Sequence, residues 1–270
     1  MVNNMKERDK YILVIDSGNG GKFTLKQLRL VLPNEKFIYL EDDKNCPYGK
    51  KSKQKLNKIS QNLVKNMLKA YPIKMIILAC NTLSSCCYKN IKSKYNLPIL
   101  AVTPFVKDFK KPTLILCTYS TKKYNKTLKS YAENNNVNIL AFKDLAKKID
   151  ENIENLSVLQ PYLDKNLKKY AKMHIRRVVL GCTHYNLIKN QIENALIENS
   201  LINNANKYRK LKTKAPIPIV LTNKSQKVIF YENSKIVAFK ALKTLKALSI
   251  LSKKSNSEVI YLKSSNLNLE

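Results

Sequence analysis

Short apolar runs alternate along this chain with segments in which apolar residues recur every three or four positions. The runs have the length of strands and lie at 11–16, 37–41, 75–80, 99–102, 113–117, 137–142, 178–182, 217–220 and 258–262. Runs that are apolar throughout are typical of parallel strands covered on both faces. Their alternation with helical segments predicts an α/β fold with parallel sheets.

The helical segments each carry one apolar face. After Ser52, which we expect to cap a helix, apolar residues follow at 56, 59, 63 and 67, and Pro72 ends the pattern. Similar patterns predict helices at 24–32, 156–167, 187–196 and 234–250. Residues 200–214 are polar and basic, and we expect them to connect two lobes.

Two apolar runs end in polar clusters that resemble each other, ACNT at 79–82 and GCTHY at 181–185. Asp16 precedes Cys80 by the same number of residues as Thr118 precedes Cys182. A matched spacing of this kind suggests two related half-domains. Because open α/β sheets bind ligands outside the carboxyl ends of their strands, two such halves would enclose one cleft.

The glycines of the chain are concentrated in the same segments. There are five, and they lie at 18, 20, 21, 49 and 181. Glycine is retained where a turn is tight or where the backbone approaches a ligand closely. The segment 16–22 lacks the spacing of a phosphate-binding or dinucleotide-binding loop. The carboxylate of Asp16 and the hydroxyl of Ser17 therefore predict a site for a small polar ligand.

Two of the six cysteines stand out by their position. Cys80 and Cys182 each follow a small residue at the end of an apolar run and precede Asn or Thr, where backbone N–H groups of a following helix can favour a thiolate. Two such thiols across a cleft suit proton transfer on both faces of one carbon, and His184 is placed to relay the proton of Cys182. The remaining four, Cys46, Cys86, Cys87 and Cys117, are expected to be small buried apolar residues. No CxxC pair is present, so no metal site is predicted.

The formal net charge of +31 raises the question of an anionic partner. The lysines are spread over every helical segment and no nucleic-acid-binding motif accompanies them, which favours a solvated surface over a nucleic-acid site. No apolar run approaches the roughly 18 residues of a membrane span, and the first residues lack a signal peptide. We therefore expect a cytoplasmic protein without a membrane partner.

With these residues assembled, the chain resembles the cofactor-independent glutamate racemases of the aspartate/glutamate racemase superfamily. The resemblance covers about residues 11–190 and rests on four motifs in the family's order: IDSGNGG at 15–21, PYG at 47–49, ACNT at 79–82 and GCTHY at 181–185. It implies two pseudo-symmetric flavodoxin-like lobes with parallel sheets and an active-site cleft between them. The first lobe would comprise 1–100 plus 212–270, and the second 101–211.

The resemblance also implies an activity, the interconversion of L- and D-glutamate that supplies D-glutamate for peptidoglycan synthesis. Proton transfer at the α-carbon would use two bases and neither cofactor nor metal. Cys80 and Cys182 would act on opposite faces, assisted by Asp16 and His184. The implied substrate-binding residues are Asp16, Ser17, Tyr48, Gly49, Asn81, Thr82, Thr118, Thr121, Thr183 and His184.

Two other interpretations of the residues stay open at this point. One is an aspartate racemase or a racemase of broad specificity; the other is a diverged, weakly active basic module that associates with nucleic acid. The chain departs from the family's usual residues at Asn19, Glu41, Asp43, Cys117 and Thr222–Asn223. Family members differ in oligomeric state, so a homodimer is also left open.

Overall fold

The computed structural model describes residues 6–106, 108–197, 228–253 and 257–267. The strands are β1 Tyr11–Asp16, β2 Phe37–Glu41, β3 Ile73–Leu78, β4 Ile99–Ala101, β5 Thr113–Thr118, β6 Val137–Phe142, β7 Arg177–Gly181, β8 Ile229–Tyr231 and β9 Val259–Lys263. The α-helices are α1 Lys22–Val31, α2 Lys53–Ala70, α3 Asn81–Lys94, α4 Tyr119–Tyr124, α5 Lys126–Tyr131, α6 Leu145–Glu151, α7 Gln160–Ala171, α8 with residues 189–197 described, and α9 Asn233–Ala247. Among these helices, none combines the length and apolarity required to cross a bilayer.

The first sheet has five parallel strands in the order β4-β3-β1-β2-β9. Successive residues of β1 point to opposite faces, so Leu13 packs with α2 and α3 while Ile12 packs with α1 and α9. Both faces are therefore buried, which explains why β1 is apolar at positions 12–15 and β3 at positions 75–78. Each fully buried Leu or Ile side chain of this kind contributes about 1.5–3 kcal/mol to stability.

The second sheet has four parallel strands in the order β6-β5-β7-β8. Apolar side chains of α6, α7 and α8 cover one of its faces, where Leu163 and Ile192 pack with Leu180 of β7. With this sheet, the prediction of an α/β fold with two parallel sheets is confirmed. The predicted Ser52 cap is also present, since the hydroxyl accepts the N–H of Lys55 at the start of α2.

After the described part of α8, the structure contains a strand that the sequence did not predict. The apolar pattern did not predict β8, which pairs with β7 in the second sheet, whereas α9 and β9 pack with the first sheet. The predicted lobe division assigns all of 212–270 to the first lobe; that division stays a prediction. The predicted strand at 217–220, the connection at 200–214 and the departure at Thr222–Asn223 lie outside the described residues.

Candidate active site

The carboxyl ends of strands from both sheets border one narrow cavity. The predicted site residues that line it are Ser17, Tyr48, Gly49, Cys80, Thr82, Thr118, Cys182 and His184. Asp16, Asn81, Thr121 and Thr183 are buried but do not line it. The two cysteines singled out from the sequence thus border the same space, Cys80 after β3 and Cys182 after β7.

Cys80 lies at the N-terminal end of α3, which begins at Asn81 directly after the buried strand β3. Its Sγ is 3.6 Å from the Ser17 hydroxyl. Burial raises the pKa of the Cys80 thiol well above its ordinary value, and the Asp16 carboxylate raises it further. The Leu83 N–H and the Ser17 hydroxyl oppose that shift without cancelling it. The surroundings of Cys80 therefore favour the protonated thiol over the thiolate.

Asp16 ends β1 and is fully buried. The Gly18 N–H donates to its Oδ1 at 2.9 Å, and the Thr183 hydroxyl donates to its Oδ2 at 3.2 Å. Burial raises the pKa of Asp16 to about 6, although His184 and these two hydrogen bonds act in the opposite direction. Asp16 thus connects the end of β1 to the segment that follows β7.

His184 stands between the second thiol and a carboxylate. Its Nδ1 is 3.7 Å from Cys182 Sγ, and its Nε2 is 3.2 Å from Oδ2 of Asp150 on α6. Burial lowers the pKa of His184, but the contacts with Asp150 and Cys182 outweigh burial and raise it well above its ordinary value. The imidazole can therefore hold a proton next to the Cys182 sulfur at neutral pH.

Three threonine hydroxyls join the start of α3 to the end of β5. Thr118 Oγ1 lies 2.9 Å from both Thr82 Oγ1 and Thr121 Oγ1, and Thr82 Oγ1 lies 3.4 Å from Thr121 Oγ1. Thr121 therefore supports the two cavity-lining threonines from behind. The Asn81 side chain is buried, and its Oδ1 has no hydrogen-bond partner within the part of the chain that the structure describes.

Some residues of this region were not predicted from the sequence. Asp150 contacts His184, and Lys50, Lys143 and Lys147 line the cavity with exposed side chains. Nothing in the local pattern marks Asp150, because the surrounding stretch of α6 is rich in charged residues.

The four cysteines expected to be buried apolar residues divide into two groups. Cys86, Cys87 and Cys117 are buried among apolar side chains, as expected. The expectation is wrong for Cys46, which is half-buried with its Sγ 3.9 Å from Asp150 Oδ2. The short segment after β2 carries Cys46 out of the core to the border between the two sheets.

Comparisons with known proteins give glutamate racemases among both the relatives and the structural neighbours of this chain. No family model matches the chain. A glutamate racemase of Clostridium botulinum (strain Alaska E43 / Type E3) is 34% identical over 194 residues, which cover 68% of this chain and 75% of the relative. A solved glutamate racemase isoform from Bacillus anthracis matches with a TM-score of 0.75 and 22% identity, covering 95% of this chain and 89% of that one. A Francisella tularensis glutamate racemase, solved with D-glutamate, matches with a TM-score of 0.73 and 21% identity, covering 95% and 89%.

Proposed function

The chain belongs to the glutamate racemase family, and we propose that it interconverts L- and D-glutamate with Cys80 and Cys182 as the two acid–base groups. The observation that carries this proposal is that both thiols border one cavity. Each has its own partner for handling protons, since Ser17 contacts Cys80 and His184 contacts Cys182. A single base could exchange the α-proton on one face, but inversion in one step needs a donor on the other face as well.

In the proposed reaction, the thiolate of one cysteine takes the α-proton of glutamate while the thiol of the other delivers a proton to the opposite face. One C–H bond of the substrate breaks as an S–H bond forms on the first cysteine. The S–H bond of the second cysteine breaks as a new C–H bond forms on the opposite face. The enzyme finishes with the thiol and thiolate interchanged, so a proton must return before the next turnover in the same direction. His184 and Asp16 are the proposed groups for that return, because both titrate within reach of the thiols.

The surroundings of the cavity favour an anionic substrate. The exposed side chains of Lys50, Lys143 and Lys147 border it, and their charges attract a dicarboxylate. Ser17, Thr82 and Thr118 offer hydroxyls, and Gly49 offers its backbone. We propose that these groups bind the two carboxylates and the amino group, with Asp16, Asn81, Thr121 and Thr183 acting from behind. The D-glutamate formed would serve peptidoglycan synthesis.

Isotope exchange tests the two-thiol mechanism directly. In heavy water we expect deuterium at the α-carbon of both glutamate enantiomers, measured by mass spectrometry after chiral separation. Cys80→Ser and Cys182→Ser should each lose racemisation by several orders of magnitude, because a hydroxyl is a far weaker acid than a thiol. Cys86→Ala is the matched control, since Cys86 lies on the same helix as the Cys80 site but away from the cavity. Full racemisation by either serine variant would refute the mechanism.

The substrate is tested in the same assay. L-glutamate and L-aspartate, offered side by side at equal concentration, should differ in turnover, with glutamate preferred. Equal or faster turnover of aspartate would instead establish the aspartate or broad-specificity alternative.

A further inference from the structure

Three metal-ligating side chains meet beside the cavity. Cys46 Sγ, Asp150 Oδ2 and His184 Nε2 all lie within 4.8 Å of one another. They come from the segment after β2, from α6 and from the segment after β7. The cluster therefore depends on the tertiary fold, and the spacing of these residues in the sequence does not predict it.

The distances among the three atoms fit a tetrahedral ion. With the bond lengths usual for zinc, tetrahedral ligands lie about 3.3 Å apart for an imidazole nitrogen and a carboxylate oxygen, and about 3.6 Å apart for a thiolate and a carboxylate oxygen. The structure has 3.2 Å between His184 Nε2 and Asp150 Oδ2, and 3.9 Å between Cys46 Sγ and Asp150 Oδ2. These two distances differ from the ligand separations by a few tenths of an ångström, and the Cys46 Sγ and His184 Nε2 atoms lie within 4.8 Å of each other.

A second observation also points to a ligand. The His184 side chain is only 4% exposed, yet its Nε2 is directed at the cluster without a well-aligned hydrogen bond to any described residue. Space beside this nitrogen is kept open by Gly18, whose added Cβ would lie 3.2 Å from Nε2 and 3.8 Å from Cys46 Sγ. Buried polar atoms are nearly always paired, and the contact of this nitrogen with Asp150 Oδ2 at 3.2 Å is not a well-aligned hydrogen bond, so a cation between the two atoms would satisfy both.

We propose that Cys46, Asp150 and His184 form a site for a thiophilic divalent cation of the zinc type, with water as the fourth ligand. Binding displaces the thiol proton of Cys46 and the Nε2 proton of His184 to solvent and forms one bond each to sulfur, oxygen and nitrogen. Thiolate and carboxylate together neutralise the two charges of the ion. Cys46 and Asp150 are partly exposed, so ion and water can reach the site from solvent.

The proposed site has a consequence for the proposed reaction. Cys46 follows a strand of the first sheet, whereas Asp150 and His184 belong to segments of the second, so the ion would tie the two halves together. It would also occupy the imidazole whose other nitrogen faces Cys182. The ion is therefore expected to inhibit racemisation reversibly. This inhibition rests on the proposed function, but the binding does not.

Cobalt(II) is the probe for binding, because a cobalt–thiolate bond gives a charge-transfer absorption in the near ultraviolet. The metal-free full-length protein titrated with Co²⁺ should develop this band and saturate at one equivalent, and Zn²⁺ should abolish it by competition. The band should be absent in Cys46→Ser and retained in Cys86→Ala and Cys182→Ser. Changes to groups that only support metal ligands cost about 10- to 100-fold in affinity, so loss of the Cys46 ligand should weaken Zn²⁺ binding by at least about 100-fold.

Absence of the band in the unaltered protein would overturn the proposal. So would a band that persists in Cys46→Ser but disappears in Cys182→Ser, which would mean that the ion binds a different thiol. In the activity arm, Zn²⁺ should inhibit the unaltered enzyme and leave Cys46→Ser largely uninhibited; equal inhibition of both would reject the regulatory consequence. If the protein does not racemise glutamate at all, the absorption titration still decides whether the site exists.

Discussion

At the scale of the residue, the ionisation of Asp16 makes stability depend on pH. Asp16 is fully buried, and burial raises its pKa to about 6. In the unfolded chain an aspartate has a pKa of about 3.9. Between these two values the folded protein binds a proton that the unfolded chain does not, so stability falls as the pH rises through this window. Above about pH 6 the folded state carries the full cost of a buried carboxylate, on the order of 3 kcal/mol.

Asp16→Asn removes this cost and tests its origin. The amide can still accept the Gly18 N–H, so the local turn should be kept. We expect the unfolding free energy of the variant minus that of the unaltered protein to increase by about 1–3 kcal/mol as the pH rises from 4 to 8. Urea titrations of both proteins measure this difference. A difference between the two proteins that is constant over this range would contradict the assignment. Racemisation should fall in the variant, because an amide cannot take up a proton.

Residues with an unusual local sequence can be predicted to be functional, whereas residues whose role depends on contacts with distant parts of the chain cannot. Cys80 and Cys182 each end an apolar run directly after a small residue, which distinguishes them from Cys117, whose run ends after Leu116. Asp150 lies in a helix rich in charged residues, and only the packing of α6 against the segment after β7 gives it a role. The expectation for Cys46 fails for the same reason, since its exposure depends on where the second sheet lies.

At the scale of the element, the glycine segment after β1 packs closely on the segment after β7. A Cβ added to Gly20 would lie 2.6 Å from Thr183 Oγ1 and 2.8 Å from the His184 backbone nitrogen. None of the five glycines, all of which are described, has a positive φ. The close approach of two backbones, and not a special turn conformation, is therefore what requires glycine at position 20.

Gly20→Ala should separate the two segments or strain them. Overpacking of a well-packed interior typically costs about 1–3 kcal/mol, which should appear as a lower midpoint of thermal unfolding. Gly49→Ala is the matched control for stability, because the nearest atom to its added Cβ is Thr118 Cβ at 3.7 Å, an ordinary contact. Equal destabilisation by the two substitutions would mean that close packing at position 20 is not the cause.

The elements themselves are predictable where the apolar pattern is long. The strand at 37–41 lies where the pattern places it, since an apolar run buried on both faces leaves few alternatives. The strand at 137–142 also lies where the pattern places it, although residues 138–141 of this edge strand are only half-buried. In contrast, β8 has three residues, and Ile229 is exposed. Its pairing with β7 comes from a segment far along the chain, and so a short local pattern could not predict it.

At the scale of the whole molecule, the net charge of +31 is the property that demands a test. Lysines lie on the exposed faces of helices in both halves, for example Lys65 on α2 and Lys168 on α7. A distributed charge attracts polyanions without recognising a sequence, and that attraction is lost as salt increases.

Fluorescence anisotropy with two labelled DNA duplexes of unrelated sequence measures this attraction. We expect similar weak binding to both at low salt, and loss of binding at physiological ionic strength, because counterion release no longer favours association. Tight binding that survives physiological salt and differs between the duplexes would revive the alternative of a nucleic-acid-binding module.

The order of the strands has a consequence for the folding of this protein during its synthesis on the ribosome. In the first sheet the outer edge of β2 stays unpaired until β9 has been synthesised. In the second sheet the outer edge of β7 stays unpaired until β8 has been synthesised. A nascent chain that has reached the end of β7 therefore exposes the edges of β2 and β7, which are paired in the finished sheets, and open edges invite pairing with other chains. The two sheets reach their full set of described strands only after β8 and β9 have been made. Premature termination after His184 would thus release a chain that has all its proposed catalytic groups but exposes the edges of β2 and β7.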